Sequence, residues 1–253
     1  DQAWMAHAAI SAPDGHRFAE RFARGDIGQA GVTATPFNAF IDEWQMVGQD
    51  LSDVKLAAQG ADFAYDLRLQ ADRPFVAQGL QGFSVKSEAG QASHYYSQPF
   101  YQVEGTLYLD DQEIAVTGQG WLDREWSSQP LTGTQSGWDW VSLHLDSGEK
   151  LMGYRLRDRD GTAYTVGTWS SAAGAPQPLE NGMLDMIPKA EAEVAGRRVP
   201  VDWQIDLPAK GLDIRVKAIY PDSWMGTLVP YWEGPVIIEG SHAGHGYLEM
   251  SGY

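Results

Sequence analysis

The chain has 253 residues, with 18 Lys and Arg against 34 Asp and Glu for a net charge of −16, no Cys, and 10 Trp, 11 Tyr and 8 Phe. Without Cys there is no disulfide scaffold, zinc ribbon, iron–sulfur site or thiol nucleophile. A charge this negative repels phosphate backbones and anionic headgroups, which excludes nucleic acid as a partner, and no apolar run approaches the roughly 20 residues of a membrane-spanning helix.

The chain opens at Asp1 with neither Met nor a basic and apolar leader, so it reads as the processed or internal part of a longer product. From there, periodicity is that of β-strands. Phe63, Tyr65, Leu67 and Leu69 alternate with Ala64, Asp66, Arg68 and Gln70, which puts one apolar face on a core. Residues 107–110 with 113–116, and 141–145 with 150–156, read as hairpins. Ile214, Val216, Ala218 and Tyr220 repeat the alternation against Asp213, Arg215 and Lys217. Turn dipeptides separate such runs: Asp14-Gly15, Asp110-Asp111, Ser147-Gly148, Asp160-Gly161 and Asn181-Gly182. Residues 190–195 offer one or two helical turns at most. The expected fold class is all-β, a sandwich or barrel of short antiparallel strands.

An internal repeat sets the domain count. Gly118-Gln-Gly120-Trp121-Leu122-Asp123 and Gly244-His-Gly246-Tyr247-Leu248-Glu249 share the pattern glycine, any residue, glycine, aromatic, Leu, acid. The copies lie 126 positions apart, almost half the chain, and each follows a strand-like run. This predicts two β-barrel domains, 1–131 and 132–253, joined through the polar, Gly-rich stretch 127–137.

The densest chemistry is Trp121-Leu-Asp123-Arg124-Glu125-Trp126. On a strand, Trp121, Asp123 and Glu125 share one side. Facing a barrel interior, two carboxylates beside an indole cannot easily both ionise, and one stays protonated as an acid for an apolar substrate. On a surface, the same residues are an ion cluster flanked by core tryptophans. His94 and Tyr96 share one face of an upstream strand and either join this cluster or pack in a barrel wall. Asp42-Glu43-Trp44 either lines the same cavity or caps a strand. His242 and His245 have no evident third ligand and carry no metal site. There is no nucleophile elbow, phosphate-binding loop or dinucleotide fingerprint, so no cofactor is expected.

Several longer motifs resemble the AttH-like branch of the carotenoid 1,2-hydratase (hydroxyneurosporene synthase) family. They are Met5-Ala-His7, Phe18 to Phe22, Gly120 to Ser128, Gly137-Trp138-Asp139-Trp140 through Gly148, Leu156 to Gly161, and Tyr231 to Pro235 through Tyr253. The resemblance spans essentially the whole chain and implies two tandem lipocalin-like antiparallel β-barrels. Hydratases of that family add water to the terminal double bond of an acyclic carotenoid without a cofactor. Related barrels guide polyene cyclisation, and many AttH-like members are named as secreted hydrolases.

The family's functional pairs, histidine–x–aromatic and aromatic–x–aspartate, fall here on His94 with Tyr96 and on Trp121 with Asp123. Carried over, Asp123 protonates the alkene, Trp121 and Tyr96 hold the cation, and His94 handles the water. Glu125, Asp42, Trp44, Trp138 and Trp140 are the expected ligand-lining residues. Where the carotenoid hydratases carry Asp-x-Asn-Trp, this chain has Asp123-Arg-Glu125-Trp126, and it has Tyr96 in place of their Trp. The resemblance also implies a hydrophobic isoprenoid, polyene or lipid partner and a periplasmic or secreted location. Family members usually carry a further strand-rich segment before Met5, so an open edge of the first barrel is an expected site of association. A non-catalytic carrier of an apolar ligand, and a hydrolase or pericyclase using the same cavity, are the alternative functions.

Overall fold

The computed structural model describes residues 2–129 and 131–253; Asp1 and Pro130, the latter inside the expected boundary stretch, lie outside the described residues. The strands in chain order are β1 (Ala3–Ala12), β2 (Gly15–Arg24), β3 (Ala30–Ala34), β4 (Phe37–Ile41), β5 (Trp44–Gly48), β6 (Asp53–Gln59), β7 (Phe63–Gln70), β8 (Val76–Ala77), β9 (Phe83–Val85), β10 (Ala92–Leu109) and β11 (Gln112–Trp126). They continue as β12 (Gln135–Leu145), β13 (Lys150–Asp158), β14 (Ala163–Ser170), β15 (Pro176–Leu179), β16 (Asp185–Val194), β17 (Arg197–Leu207), β18 (Leu212–Ala218), β19 (Trp224–Met225), β20 (Tyr231–Gly240) and β21 (Gly244–Met250). Among the described residues the only helical pieces are two single 3-10 turns, and no helix is long and apolar enough to cross a membrane. The chain is all-β, with two curled antiparallel half-barrel sheets in the manner of tandem lipocalin-like barrels.

The chain forms two compact units, residues 1–73 with 100–121 and residues 74–99 with 122–253. Both long strands are shared: 92–99 of β10 and 122–126 of β11 belong to the second unit, and the remainder of each strand to the first. The second unit therefore includes 74–99, well upstream of the stretch near residue 131.

In the first unit, strands follow the order β11-β10-β7-β6-β5-β4-β3, and β1 and β2 form a separate hairpin. The alternation in β7 does what its sequence requires. Phe63 and Leu69 are buried while Asp66, Arg68 and Gln70 are exposed, and Arg68 reaches across to Asp53 at 2.6 Å. Phe63 joins Ala8, Ile10, Ala23, Ala30, Ile41, Trp44 and Ala58 in the core. Strand β3 stands at the end of the sheet order, and its residues 32–34 are exposed.

The second unit holds the path β15-β14-β13-β12-β21-β20-β18-β17-β16, with β19 on β20. Its core is larger and includes Trp203 and Trp232, both fully buried, with Val141, Leu143, Ile214, Val216 and Leu248. In β18, Ile214 and Val216 point inward while Arg215 and Lys217 pair outward with Asp202 and Glu239, each at 2.6 Å. Residues 190–194 lie in β16, and no helical turn forms there. Cross-strand pairing with β17 outweighs the helix propensity of Ala and Glu, since only Val194 and Ala192 of this run reach the core.

Candidate functional site

Strand register builds the site in the second unit. Tyr154 on β13 is opposite Trp140 on β12, Trp140 is opposite Glu249 on β21, and Glu249 is opposite Glu233 on β20. Residues in one ladder row share a face of the sheet. This row lies on the face away from Val141 and Leu143, which alternate with it on β12 and fill the core. Trp138, two residues along on the same face, donates its indole N–H to Glu249 at 2.7 Å.

Segment 84–97 and the end of β11 bring further polar groups to this row. The Trp140 indole donates to the Tyr95 hydroxyl at 3.1 Å, and the Tyr95 hydroxyl is hydrogen-bonded to Asp123. The Ser97 hydroxyl also donates to Asp123, and Ser97 in turn accepts from the Gln78 amide at 2.7 Å. Gln78, Tyr95 and Ser97 are all buried. Glu125 accepts from Ser93 at 2.5 Å and pairs with Lys86 at 3.0 Å. The Lys86 ammonium also lies 4.0 Å from the Tyr154 ring centre and 4.9 Å from that of Tyr95.

The electrostatics follow from crowding charge into a poorly hydrated place. Burial, then the neighbouring Glu249 charge, pushes Glu233 up to about 7, against a hydrogen bond from Tyr231. Burial also raises Glu249, with Asp123 and Glu125 adding to the shift and the Trp138 bond opposing it. Burial lowers Lys86 despite its Glu125 partner, and burial holds the Tyr95 and Tyr154 hydroxyls well above the ordinary phenol value. The site therefore holds Glu233 close to its protonation midpoint at neutral pH, with Glu249 shifted in the same direction, beside aromatic faces.

The expected residues separate into three groups. Asp123, Glu125, Trp138 and Trp140 come together here. His94 and Tyr96 do not join them. On β10, residues 93, 95 and 97 turn toward Asp123 and Glu125, so 94 and 96 point to the other face. There His94 stacks on Trp126 at 5.6 Å, and Tyr96 meets Trp126 and Phe75 edge-on. Trp126 is 54% exposed. Trp121 is half-buried and is the last β11 residue of the first unit.

Asp42 and Trp44 belong to the first unit. Asp42 turns the β4–β5 hairpin at φ 51° and accepts from Gln29 at 2.9 Å. Trp44 is buried, donates to the Gln59 carbonyl at 2.9 Å and carries the Arg21 guanidinium 4.7 Å above its ring. It lines an apolar cleft of about 240 Å³ with Trp4, Val32, Phe40, Met46 and Leu56. His242 and His245 diverge: His242 bonds Ser241 and meets Trp169, while His245 stacks on His144.

Sequence reading missed Glu233, Glu249, Lys86, Tyr95, Tyr154, Ser97 and Gln78 as site residues. One signal for Glu249 was present, because it is the repeat counterpart of Asp123. Glu233 and Tyr154 arrive through strand register, Tyr95 and Ser97 from β10, and Gln78 and Lys86 from segments outside the strands, none of which a local motif encodes.

A family model described as AttH-like matches residues 1–253. No curated protein matches the chain. The crystal structure of a protein assigned to AttH from Nitrosomonas europaea superposes with a TM-score of 0.92 at 30% identity, covering 100% of this chain and 82% of that one. Kievitone hydratase from Nectria haematococca superposes with a TM-score of 0.76 at 18% identity, covering 98% of this chain and 79% of that one, a likeness of fold. By its family match over the full length and by its Nitrosomonas relative, this chain belongs to the AttH-like family.

Proposed function

We propose that the protein is a cofactor-independent hydratase that adds water across a carbon–carbon double bond of a hydrophobic isoprenoid or polyene. The observation that carries the reading is Asp123, held by the Tyr95 and Ser97 hydroxyls beside Trp140 and within electrostatic reach of Glu249, whose carboxyl burial raises. Asp123 gives its proton to the less substituted alkene carbon, which leaves a tertiary carbocation on its neighbour. The faces of Trp140 and Tyr154 attract that cation, each by about 2 kcal/mol where water is excluded. Water then attacks the cation and loses a proton to a neighbouring carboxylate, so the product is the substrate plus one water. That a solved hydratase shares the fold supports the same reading.

The test is incubation of the purified chain with an acyclic isoprenoid polyene, followed by mass spectrometry for a one-water adduct. Wild type is expected to form it. Asp123→Asn is expected to lose about 10²–10⁴-fold in rate, the usual contribution of a positioned acid. Equal rates for the two would remove Asp123 from the chemistry.

A carrier reading draws on a different observation, the apolar cleft of about 240 Å³ in the first unit. Native mass spectrometry that finds a fatty acid or phospholipid retained equally by wild type and Asp123→Asn, with no adduct in either, would favour it.

A further inference from the structure

We propose that Glu233 and Glu249 hold one proton between them and form the second acid–base group of the site, the one that takes the proton from the attacking water. The inference rests on the hydratase reading and assigns two residues beyond it.

The two glutamates are directly opposite on the adjacent antiparallel strands β20 and β21, where side chains lie within about 5.5 Å at Cβ. Like charges so placed repel, and the repulsion is severe where water is scarce. Like charges directly opposite on a ladder destabilise a sheet, so the pair adds nothing to its stability. Both carboxyls are instead held in place. The Trp138 indole donates to Glu249 at 2.7 Å, and Tyr231 is hydrogen-bonded to Glu233. The Glu233 backbone N–H is fixed on the Ser223 carbonyl at 3.0 Å.

The repeat gives a second, independent line. Glu249 fills the acid position in the second copy of the pattern that places Asp123 in the first. The two acids end up within electrostatic reach of each other, so the repeat brings one carboxyl from each copy to one place. One acid gives a proton to the alkene, and the other receives a proton from water.

The groups facing the pair are consistent with a shared proton. From β11 come Asp123 and Glu125, both acidic and both favouring proton retention on Glu249. From β13 comes Tyr154, whose hydroxyl burial keeps neutral. Lys86 is paired with Glu125 at 3.0 Å and lies 4.0 Å from the Tyr154 ring centre. In the step itself, the water oxygen bonds to the carbocation and its O–H bond breaks. The proton passes to the ionised oxygen of Glu249, and the pair releases one proton to solvent before the next turnover. Asp123, left ionised by its own transfer, recovers a proton from solvent, so protons balance.

The test is infrared difference spectroscopy of the full chain through a pH titration, reading the band of protonated carboxyl groups. Wild type is expected to lose one such band near pH 7; Glu233→Gln is expected to abolish that transition, and Glu249→Gln to move it to lower pH, since the neighbouring charge is gone while burial remains. A wild type with no carboxyl titrating there, or a transition unchanged in both variants, would overturn the pair, and the wild-type titration stands even if a variant folds poorly. Activity on the polyene separates the two proposals. A titrating pair with no adduct contradicts the hydratase and leaves the pair standing. An adduct formed by Glu249→Gln at the wild-type rate and with the wild-type pH profile contradicts the pair and leaves the hydratase standing. The expected result is a loss of about 10²-fold or more in Glu249→Gln, with a changed pH profile.

Discussion

Ser97 shows how much a small side chain carries in this site. It is fully buried, accepts from Gln78 and donates to Asp123, so it links a buried amide to the Asp123 carboxyl group. Ser97→Ala leaves the Gln78 amide and an Asp123 oxygen each short of one partner. Denaturant unfolding is expected to show a loss of roughly 1–3 kcal/mol, and hydration of the polyene is expected to fall with little change in KM. An unchanged stability and rate would mean that water replaces the hydroxyl without loss.

His144 makes a pH argument at the same scale. Burial, with Lys150 and His245 adding to it, depresses this imidazole from 6.5 to about 3. The native state therefore stays neutral while the unfolded chain binds a proton, and stability falls as the pH drops from 6.5 toward 3. Glu233 acts in the opposite sense: between 4.5 and about 7 the native state keeps a proton that the unfolded chain releases, so stability is lost as pH rises. The difference in Tm between wild type and His144→Gln isolates the histidine. The corresponding difference in unfolding free energy is expected to shrink or reverse on acidification, by up to about 5 kcal/mol in the limit. A difference constant from pH 7 to pH 4 would show that His144 protonates as freely in the native state as in the unfolded one.

At the scale of the element, the glycines of the repeat have different reasons in its two copies. A Cβ on Gly246 would lie 2.2 Å from the Ser142 carbonyl oxygen of β12, and one on Gly244 would lie 2.1 Å from that of His144. Strand β21 therefore approaches β12 closely, which sets the Trp140–Glu249 pairing on the same ladder. In the first copy, a Cβ on Gly120 would meet side chains and no backbone, with the Val103 methyl nearest at 2.9 Å, and one on Gly118 would meet nothing within 4 Å. Gly246→Ala is expected to cost about 1–3 kcal/mol, because backbone must move. Gly118→Ala is expected to be neutral or slightly stabilising in thermal unfolding. Equal costs would contradict this account of β21. The alternation of hydrophobic residues made the strands legible, as Phe63 to Leu69 and Leu212 to Val216 illustrate. It could not decide which side of β10 met Asp123. His94 and Tyr96 share a face, as read, but it is the face of Trp126, and Tyr95 and Ser97 hold the acid instead.

Across the whole molecule, the repeat was the strongest sequence signal, because two strands with the same pattern each close a half of the chain. Asp123, Glu125, Trp138 and Trp140 were legible from local clusters of acids and indoles. Glu233 and Tyr154 were not, because cross-strand register alone brings them to the same row, and a single sequence does not specify register between strands far apart in the chain; Lys86 was not, because it comes from a connection outside the strands. Asp42 and Trp44 carried the same acidic-aromatic signature but fold into the other unit, where one turns a hairpin and the other lines an apolar cleft. In the proposed reaction Asp123 adds a proton, and water adds a hydroxyl, to one double bond. Turnover of an acyclic polyene in deuterated, oxygen-labelled water tests it most directly. The account predicts one deuterium on the protonated carbon and one labelled oxygen on the neighbouring tertiary carbon, both lost with Asp123→Asn. Polyene recovered without either label, or labelled equally by the variant, would contradict it.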